Sequence, residues 1–368
     1  MTTLSHREID LGSAVSVAKV EAVLRDHPAD QTPRAVDIDL SRCRLLPPGA
    51  GWRLGNAMSR WAEHGQVAVT VPEPGDFSGE WFKTMTRSGV GLALGRFARE
   101  VKTTSGADIT ALVRDYYEDA GSRSSTNYAV VVDLSETSLV EGLDAFTERL
   151  GQMAARVGLD YGTLGSAARA ALRQACFEGV ENVLDHAFRS PYDPVDRPML
   201  SYFSLGFHRQ VDRNRAPGDE FVSYLKQLTS RLPTDRPQRG FVEVVVLDTG
   251  VGLAARQSQD EQIYDGPLAT EVEYTRAALA TAGTVKLEVG DSFVRGEPGL
   301  GYSYILEGLR GLVAFATLRT GRCLITLDAS APGGAASWQL TDQQLGYLPG
   351  TALHIVFPLI SDQLQMPQ

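Results

Sequence analysis

The chain has 368 residues and a formal net charge of −10, with 43% hydrophobic and 22% charged residues. These values lie near globular averages, which excludes wholesale disorder, and the length suits two domains that each bury a core. An acidic total with no long basic run disfavours a dedicated nucleic-acid binder.

The cysteines and the apolar runs set the expected compartment. Cys43, Cys176 and Cys323 lie far apart among apolar residues, so we expect buried free thiols rather than disulfides or a zinc site. The first residues show no basic-then-apolar signal sequence, and no apolar run approaches the roughly 20 residues that span a bilayer. We therefore expect a soluble, cytoplasmic protein without a membrane partner.

Residues 1–125 are predicted to form an α/β domain. Alternating and helical patterns place a strand, a helix and a strand at residues 36–40, 50–61 and 66–71. This order predicts a parallel pairing of the two strands. Residues 101–126 are expected to hold a short helix near residues 109–117 between two loops.

Pro47 and Pro48 occupy the turn between the first of these strands and its helix. The segment resembles a degenerate sulphate-transporter and anti-sigma-antagonist (STAS) domain. In that family a phosphorylatable Ser or Thr commonly lies where the strand meets the helix. The prolines remove that acceptor, so we interpret residues 1–125 as an adaptor that docks a protein partner.

Residues 126–368 are predicted to form an α+β two-layer sandwich, because helices come first and a mostly antiparallel sheet follows. Strands are expected at residues 128–134, 199–207, 241–247, 312–318, 323–328 and 351–357. Helices are expected at residues 139–157, 163–188, 219–232 and 270–280, and after the glycines at 299–301.

The long predicted helix carries Glu178, Asn182 and His186 at intervals of four residues, which places them in one row. A carboxamide oxygen suits Mg²⁺, which takes oxygen ligands and keeps several waters. A carboxylate one turn earlier suits a general base that deprotonates water. Apolar residues flank this row and leave little of the helix surface clearly solvated. The pattern therefore favours a functional site over an ordinary solvated helix face.

A second motif, Asp248-x-Gly250-x-Gly252, follows an apolar strand. The carboxylate can accept a hydrogen bond from an exocyclic amino group, and the glycines let a ligand approach the backbone. The segment also fits a G-x-G-x-x-A dinucleotide fingerprint, but no convincing helix or βαβ unit is predicted after it. An aspartic-protease reading requires a second Asp-Thr-Gly or Asp-Ser-Gly, and the chain has none. A plain strand-end turn is the remaining alternative.

Two further segments complete the candidate site. Gly299, Gly301 and Ser303 open a predicted helix, where free backbone N–H groups favour a phosphate. Lys286 and Arg295 lie upstream in what we expect to be a lid, from which either can reach a γ-phosphate. The last motif is a Gly-Thr turn, Gly350-Thr351, that leads into the final strand.

These four motifs, in this order over about residues 127–360, resemble the GHKL ATPase superfamily and its Bergerat fold. The resemblance implies ATP and Mg²⁺ as ligands, with Asn182 on the metal and Glu178 as the general base. It further implies that Asp248 binds the adenine amino group and that Thr351 supports the adenine side. The pocket would be shaped by the glycines at 250, 252, 299 and 301, with His186 and Ser303 also binding the nucleotide.

Three activities remain open. The first is an ATPase whose lid closure is coupled to a partner in a bacterial signalling or defence system. The second is a serine/threonine kinase of the anti-sigma type, and the third is a nucleotide-dependent interaction module that does not hydrolyse. A sensor histidine kinase is disfavoured, because His6, His27 and His64 are not expected on a helical hairpin. The resemblance also allows a homodimer.

Overall fold

The computed structural model describes the chain in segments. They are residues 5–28, 34–73, 79–118, 129–134, 143–159, 161–164, 166–186, 200–208, 219–231, 240–279, 305, 309, 312, 314–328, 339–341 and 345–359. Two sheets organise these segments, one parallel and one antiparallel, so the protein belongs to the mixed α/β class. Among the described helices, none is both long and apolar enough to cross a bilayer.

The parallel sheet is built from the first third of the chain. Its strands lie side by side in chain order, as β1 (Ser5–Asp10), β2 (Arg34–Asp39), β3 (Gln66–Val71) and β4 (Glu100–Thr103). The expected parallel pairing is confirmed, with Val36 opposite Val67. The outer strands β1 and β4 were not predicted from the sequence.

Helices connect and cover these strands. They are α1 (Val17–Asp26), α2 (Pro48–His64), α3 (Gly79–Arg87), α4 (Val90–Phe97) and α5 (Thr110–Glu118). The Ser16 hydroxyl caps α1 by accepting the Lys19 N–H, and Pro48 begins α2, where its missing N–H costs nothing. Helix α5 confirms the short helix expected near residues 109–117.

The antiparallel sheet is built from the rest of the chain. Its strands are β5 (Ala129–Asp133), β6 (Ser201–His208), β7 (Phe241–Asp248), β8 (Phe315–Gly321), β9 (Cys323–Asp328), β10 (Gln339–Leu340) and β11 (Leu348–Pro358). Their spatial order is β10-β9-β8-β11-β7-β6-β5, and each pair is antiparallel. The accompanying helices are α6 (Leu143–Arg156), α7 (Ser166–His186), α8 (Val222–Arg231), α9 (Leu253–Ser258) and α10 (Leu268–Leu279).

Both faces of the antiparallel sheet are covered. Side chains alternate along β7, so Val244 and Val246 pack with α6 and α7 while Val245 and Leu247 face away. That second face joins the core of the first third of the chain, where Trp52 of α2 is fully buried. Helix α2, which belongs to the first third of the chain, therefore lies between the two sheets, an arrangement that the sequence did not predict.

The domain boundary predicted at residue 125 lies within residues 119–128, which are outside the described segments, so it stays a prediction. The apolar core nevertheless runs from α2 into the antiparallel sheet. The three cysteines are free and buried, as expected.

Candidate functional site

Helix α7 and the end of β7 form two sides of one pocket, which we call the α7–β7 pocket. Its polar lining consists of Asn182, Asp248, Arg256, Gln257 and Thr351. The remaining wall is apolar or glycine, and it includes Gly252. Four of the residues predicted from the separate motifs thus meet here, namely Asn182, Asp248, Gly252 and Thr351.

Asp248 is the last residue of β7, an inner strand of the antiparallel sheet. Its neighbours across the strands are Ser201 on β6 and Thr351 on β11. The side chain is 7% exposed, and one carboxylate oxygen accepts a hydrogen bond of 2.8 Å from the Gly250 N–H. Burial raises the pKa of Asp248 to about 7, although the N–H groups of Gly250 and Thr351 act in the opposite direction.

The loop after β7 is fixed by two hydroxyl groups. The Tyr264 hydroxyl donates to the Val251 carbonyl at 2.7 Å, and the Leu253 N–H donates to the Thr320 hydroxyl at 3.0 Å. Gly252 has a φ of +81°, and a Cβ there would lie 2.5 Å from the Tyr264 hydroxyl. Only glycine fits this position without strain. Gly250 donates its N–H to the Asp248 carboxylate and is not part of the described pocket wall.

The loop also decides between the alternative interpretations of the Asp-x-Gly-x-Gly motif. Helix α9 begins directly after Gly252, so the expectation that no helix follows was wrong. Strand β7 nevertheless pairs antiparallel with both β6 and β11, which excludes the parallel βαβ unit of a dinucleotide fold. The rejection of that fingerprint is therefore supported by topology.

The Gly-Thr turn brings β11 against Asp248. Gly350 has a φ of +69°, and a Cβ there would overlap the backbone carbonyl of Asp248. The pairing of β11 with β8 is irregular between Leu348 and Thr351, which places the turn next to the pocket. Thr351 therefore reaches the pocket wall as a result of local backbone geometry.

On the helix side, α7 confirms the predicted long helix and places Asn182 in the pocket. The Asn182 amide nitrogen is buried and has no hydrogen-bond acceptor among the described residues. Glu178 lies one turn earlier, where it accepts a hydrogen bond of 2.6 Å from the Gln174 amide. Glu178 is not part of the described pocket wall. His186 ends α7, and its side chain lies outside the described residues.

Comparisons with protein-family models, curated proteins and solved structures found no match.

Several predicted residues lie outside the described segments. These are Gly299, Gly301, Ser303, Lys286 and Arg295. Ile305, two positions after Ser303 in the sequence, is described and lines the pocket wall. The described residues contain no group of three or more His, Cys, Asp or Glu side chains suited to a metal.

Arg256 and Gln257 are pocket residues that the sequence did not indicate. Arg256 is only 6% exposed, and the side-chain oxygen of Gln257 is buried without a hydrogen-bond donor among the described residues. Both lie on α9, which has six residues and is too short for a periodic pattern. The only feature of the sequence that pointed to these two residues was their position shortly after the Asp248-x-Gly250-x-Gly252 motif.

Proposed function

We propose that the α7–β7 pocket binds ATP with Mg²⁺ and hydrolyses it, as a site of the GHKL type in a Bergerat-like fold. The observation that carries the proposal is the meeting of Asn182 and Asp248 in one pocket, although 66 positions in the sequence separate them. Gly252 and Thr351 line the same pocket, so motifs from three parts of the chain converge.

Asp248 binds the base in this proposal. A buried carboxylate suits a hydrogen bond from the exocyclic amino group of adenine, and the apolar wall suits the faces of the ring. Thr351 lies beside Asp248 and supports the same edge of the base. Asp248→Asn removes a charge-assisted hydrogen bond, so we expect adenine nucleotides to bind more weakly by about 1.5–3 kcal/mol.

Asn182 is the residue that would hold Mg²⁺. Its carboxamide is anchored on α7, and its buried nitrogen has no acceptor among the described residues, which fits a side chain oriented by a ligand. One carboxamide oxygen suffices, because Mg²⁺ usually completes its shell with waters and phosphate oxygens. Bound Mg²⁺ would neutralise phosphate charge, while Asn182 positions the phosphate chain against α7.

Glu178 is the proposed general base. The Gln174 amide donates to one of its carboxylate oxygens at 2.6 Å, which orients the carboxylate, and a carboxylate one turn before Asn182 is suited to take a proton from the attacking water. Its place outside the described pocket wall favours two alternatives, a serine/threonine protein kinase of the anti-sigma type and an interaction module that does not hydrolyse. A sensor histidine kinase lacks support, since His6 lies on β1 and His64 ends α2.

A regulatory output to the STAS-like part of the chain is supported by a short path from the pocket. The Asn56 amide on α2 donates to the Pro349 carbonyl at 2.8 Å, directly before the Gly350-Thr351 turn. A change at that turn therefore acts on α2, which belongs to the proposed adaptor. A protein partner docked there, or a second copy in a homodimer, would sense the state of the pocket.

A buried ion cluster strengthens this connection. Glu21 on α1 accepts from Arg53 on α2 at 2.9 Å and from Arg319 on β8 at 3.0 Å. Arg53 also pairs with Glu220 at 3.0 Å. Arg319 is adjacent to Thr320, whose hydroxyl holds the start of α9. The cluster thus joins the first helices of the chain to the strand that supports the pocket loop.

Thermal unfolding with ATP, ADP and Mg²⁺ tests the binding step. A ligand that binds only the native state raises the melting temperature, by an amount that grows with its concentration. We expect a rise for the wild type and for Asp265→Asn, an exposed control, and a much smaller rise for Asp248→Asn. No rise with millimolar nucleotide in the wild type would contradict the proposal.

Radiolabelled ATP separates the three activities. Release of free phosphate by the purified protein indicates the ATPase. Label transferred to a protein in an added lysate indicates the kinase, and binding without either indicates the interaction module.

A further inference from the structure

The residue opposite Asp248 on the neighbouring strand is a buried serine. Ser201 begins β6 and pairs directly with Asp248 on β7, while Thr351 pairs with Asp248 from β11 on the other side. Directly opposite residues of antiparallel strands lie about 4.5–5.5 Å apart at Cα and project from the same face of the sheet. Ser201, Asp248 and Thr351 therefore form one polar row across three strands.

The polar row is on the face of the sheet that packs against α7. Phe203 lies two residues after Ser201 on β6, Val246 lies two residues before Asp248 on β7, and both belong to the core under α7. Since side chains alternate along a strand, Ser201 and Asp248 point to the same side as these two residues. Asp248 and Thr351 line the α7–β7 pocket, whereas Ser201 is 0% exposed and is not part of the described wall.

The Ser201 hydroxyl has unmet hydrogen-bonding capacity. It is buried and has no hydrogen-bond partner among the described residues. Buried polar atoms in native proteins are nearly always satisfied, and ordered water fills this role where no protein group does. A hydroxyl next to a buried carboxylate is suited to share one water with it.

Adenine requires more than the Asp248 carboxylate at its edge. The Watson–Crick edge of adenine carries the N6 amino donor and the N1 acceptor. Ionised Asp248 only accepts hydrogen bonds, so it satisfies the amino group but not N1. A hydroxyl can supply the missing donor through a water. N1 lies across the ring from N9, which carries the sugar, so it is the atom that enters deepest, towards the buried Ser201.

We propose that Ser201 is a further base-recognition residue of the pocket, which holds a water between Asp248 and adenine N1. The Ser201 hydroxyl donates to this water, and the water donates one hydrogen to the Asp248 carboxylate and the other to N1. The inference rests on the proposed nucleotide function and narrows its base. The pocket selects a purine with an amino group at C6 and an unprotonated N1.

Calorimetric titration with ATP and 1-deaza-ATP tests this assignment. 1-Deaza-ATP carries a C–H group in place of N1, so it keeps the amino group and loses the acceptor. With Mg²⁺ at pH 8.5, where Asp248 is ionised, the wild type should bind ATP at least about fivefold more tightly than 1-deaza-ATP. Ser201→Ala should weaken ATP by a similar factor and change 1-deaza-ATP by less than about twofold, so that the preference disappears.

Ser204→Ala is the matched control. Ser204 is a buried serine on the same strand, and it pairs with Val245, so its side chain points to the opposite face of the sheet. This variant should keep the preference for ATP over 1-deaza-ATP.

The outcomes separate this inference from the proposed function. If the wild type binds neither ligand, the proposed function fails and takes the inference with it. If the wild type binds ATP and 1-deaza-ATP equally, only the inference fails. It also fails if Ser201→Ala weakens both ligands by the same factor, since Ser201 then supports only the fold.

Ser201→Cys covers the case in which the alanine variant does not fold. It is close to serine in size and replaces the hydroxyl with a weak S–H donor. Its preference for ATP should therefore be smaller than that of the wild type. The full wild-type preference in folded Ser201→Cys would overturn the inference.

Discussion

Asp248→Asn should stabilise the protein at alkaline pH even though it weakens ligand binding. Burial raises the pKa of Asp248 from 3.8 to about 7, so the folded protein keeps a proton that the unfolded chain has already lost. The stabilising effect of that proton is full below pH 3.8 and is lost as the pH rises through 7. One pKa unit corresponds to about 1.4 kcal/mol, so ionised Asp248 costs the folded protein about 4 kcal/mol.

Asparagine removes this cost because it is neutral at every pH. Its oxygen can still accept the Gly250 N–H, but its amide nitrogen lacks a partner in the pocket, which offsets about 1–2 kcal/mol of the gain. We therefore expect the free energy of unfolding of Asp248→Asn to exceed that of the wild type by about 2–3 kcal/mol at pH 8.5, with almost no difference at pH 5.

Urea unfolding at the two pH values measures this difference directly. The exposed control Asp265→Asn should show the same small effect at both pH values. An Asp248→Asn variant only as stable as the wild type at pH 8.5, or one whose gain in stability did not depend on pH, would contradict the raised pKa of Asp248.

Three further substitutions test other parts of the account. Glu178→Ala should preserve ATP affinity and lower phosphate release in a turnover assay, and equal turnover would remove the general base. Glu21→Gln should lower the free energy of unfolding in urea by about 3 kcal/mol or more, because Arg53 and Arg319 lose their shared charge partner. The control Arg42→Gln, which breaks an exposed ion pair, should lower it by under about 1 kcal/mol. Equal losses in the two variants would contradict the buried cluster. Gly350→Ala should destabilise the protein by at least about 2 kcal/mol more than Gly106→Ala. Both glycines have a positive φ, but only at Gly350 would the added Cβ meet neighbouring atoms. A similar loss of stability in both variants would contradict the close approach of β11 to Asp248.

The elements with strong local signals were predictable from the sequence. Strand β3 has the predicted bounds because Pro72 ends its alternating pattern, and the β8–β9 hairpin follows from two apolar runs around a short turn. The strands β1 and β4 were missed, since β1 carries charged residues at several positions and β4 has four residues. Local pattern cannot distinguish such strands from loops.

The layering was not predictable, for a physical reason. Helix α2 is buried on nearly every face because it lies between two sheets. Its own seventeen residues carry no pattern that predicts a second sheet, formed by the distant end of the chain, on its other side. The same limit applies to the site. The motifs predicted that Asn182 and Asp248 share a ligand, but Arg256 enters the pocket only through the placement of the six-residue helix α9.

If Asp248 in the α7–β7 pocket recognises the amino edge of adenine, the pocket must discriminate adenine from guanine. Adenine presents an amino donor where guanine presents a carbonyl acceptor, which a carboxylate repels. Calorimetry with ATP and GTP, each with Mg²⁺ at pH 8.5, should give at least tenfold tighter binding of ATP to the wild type and little preference in Asp248→Asn. Equal affinity of the wild type for both nucleotides, or no binding of either, would contradict the claim.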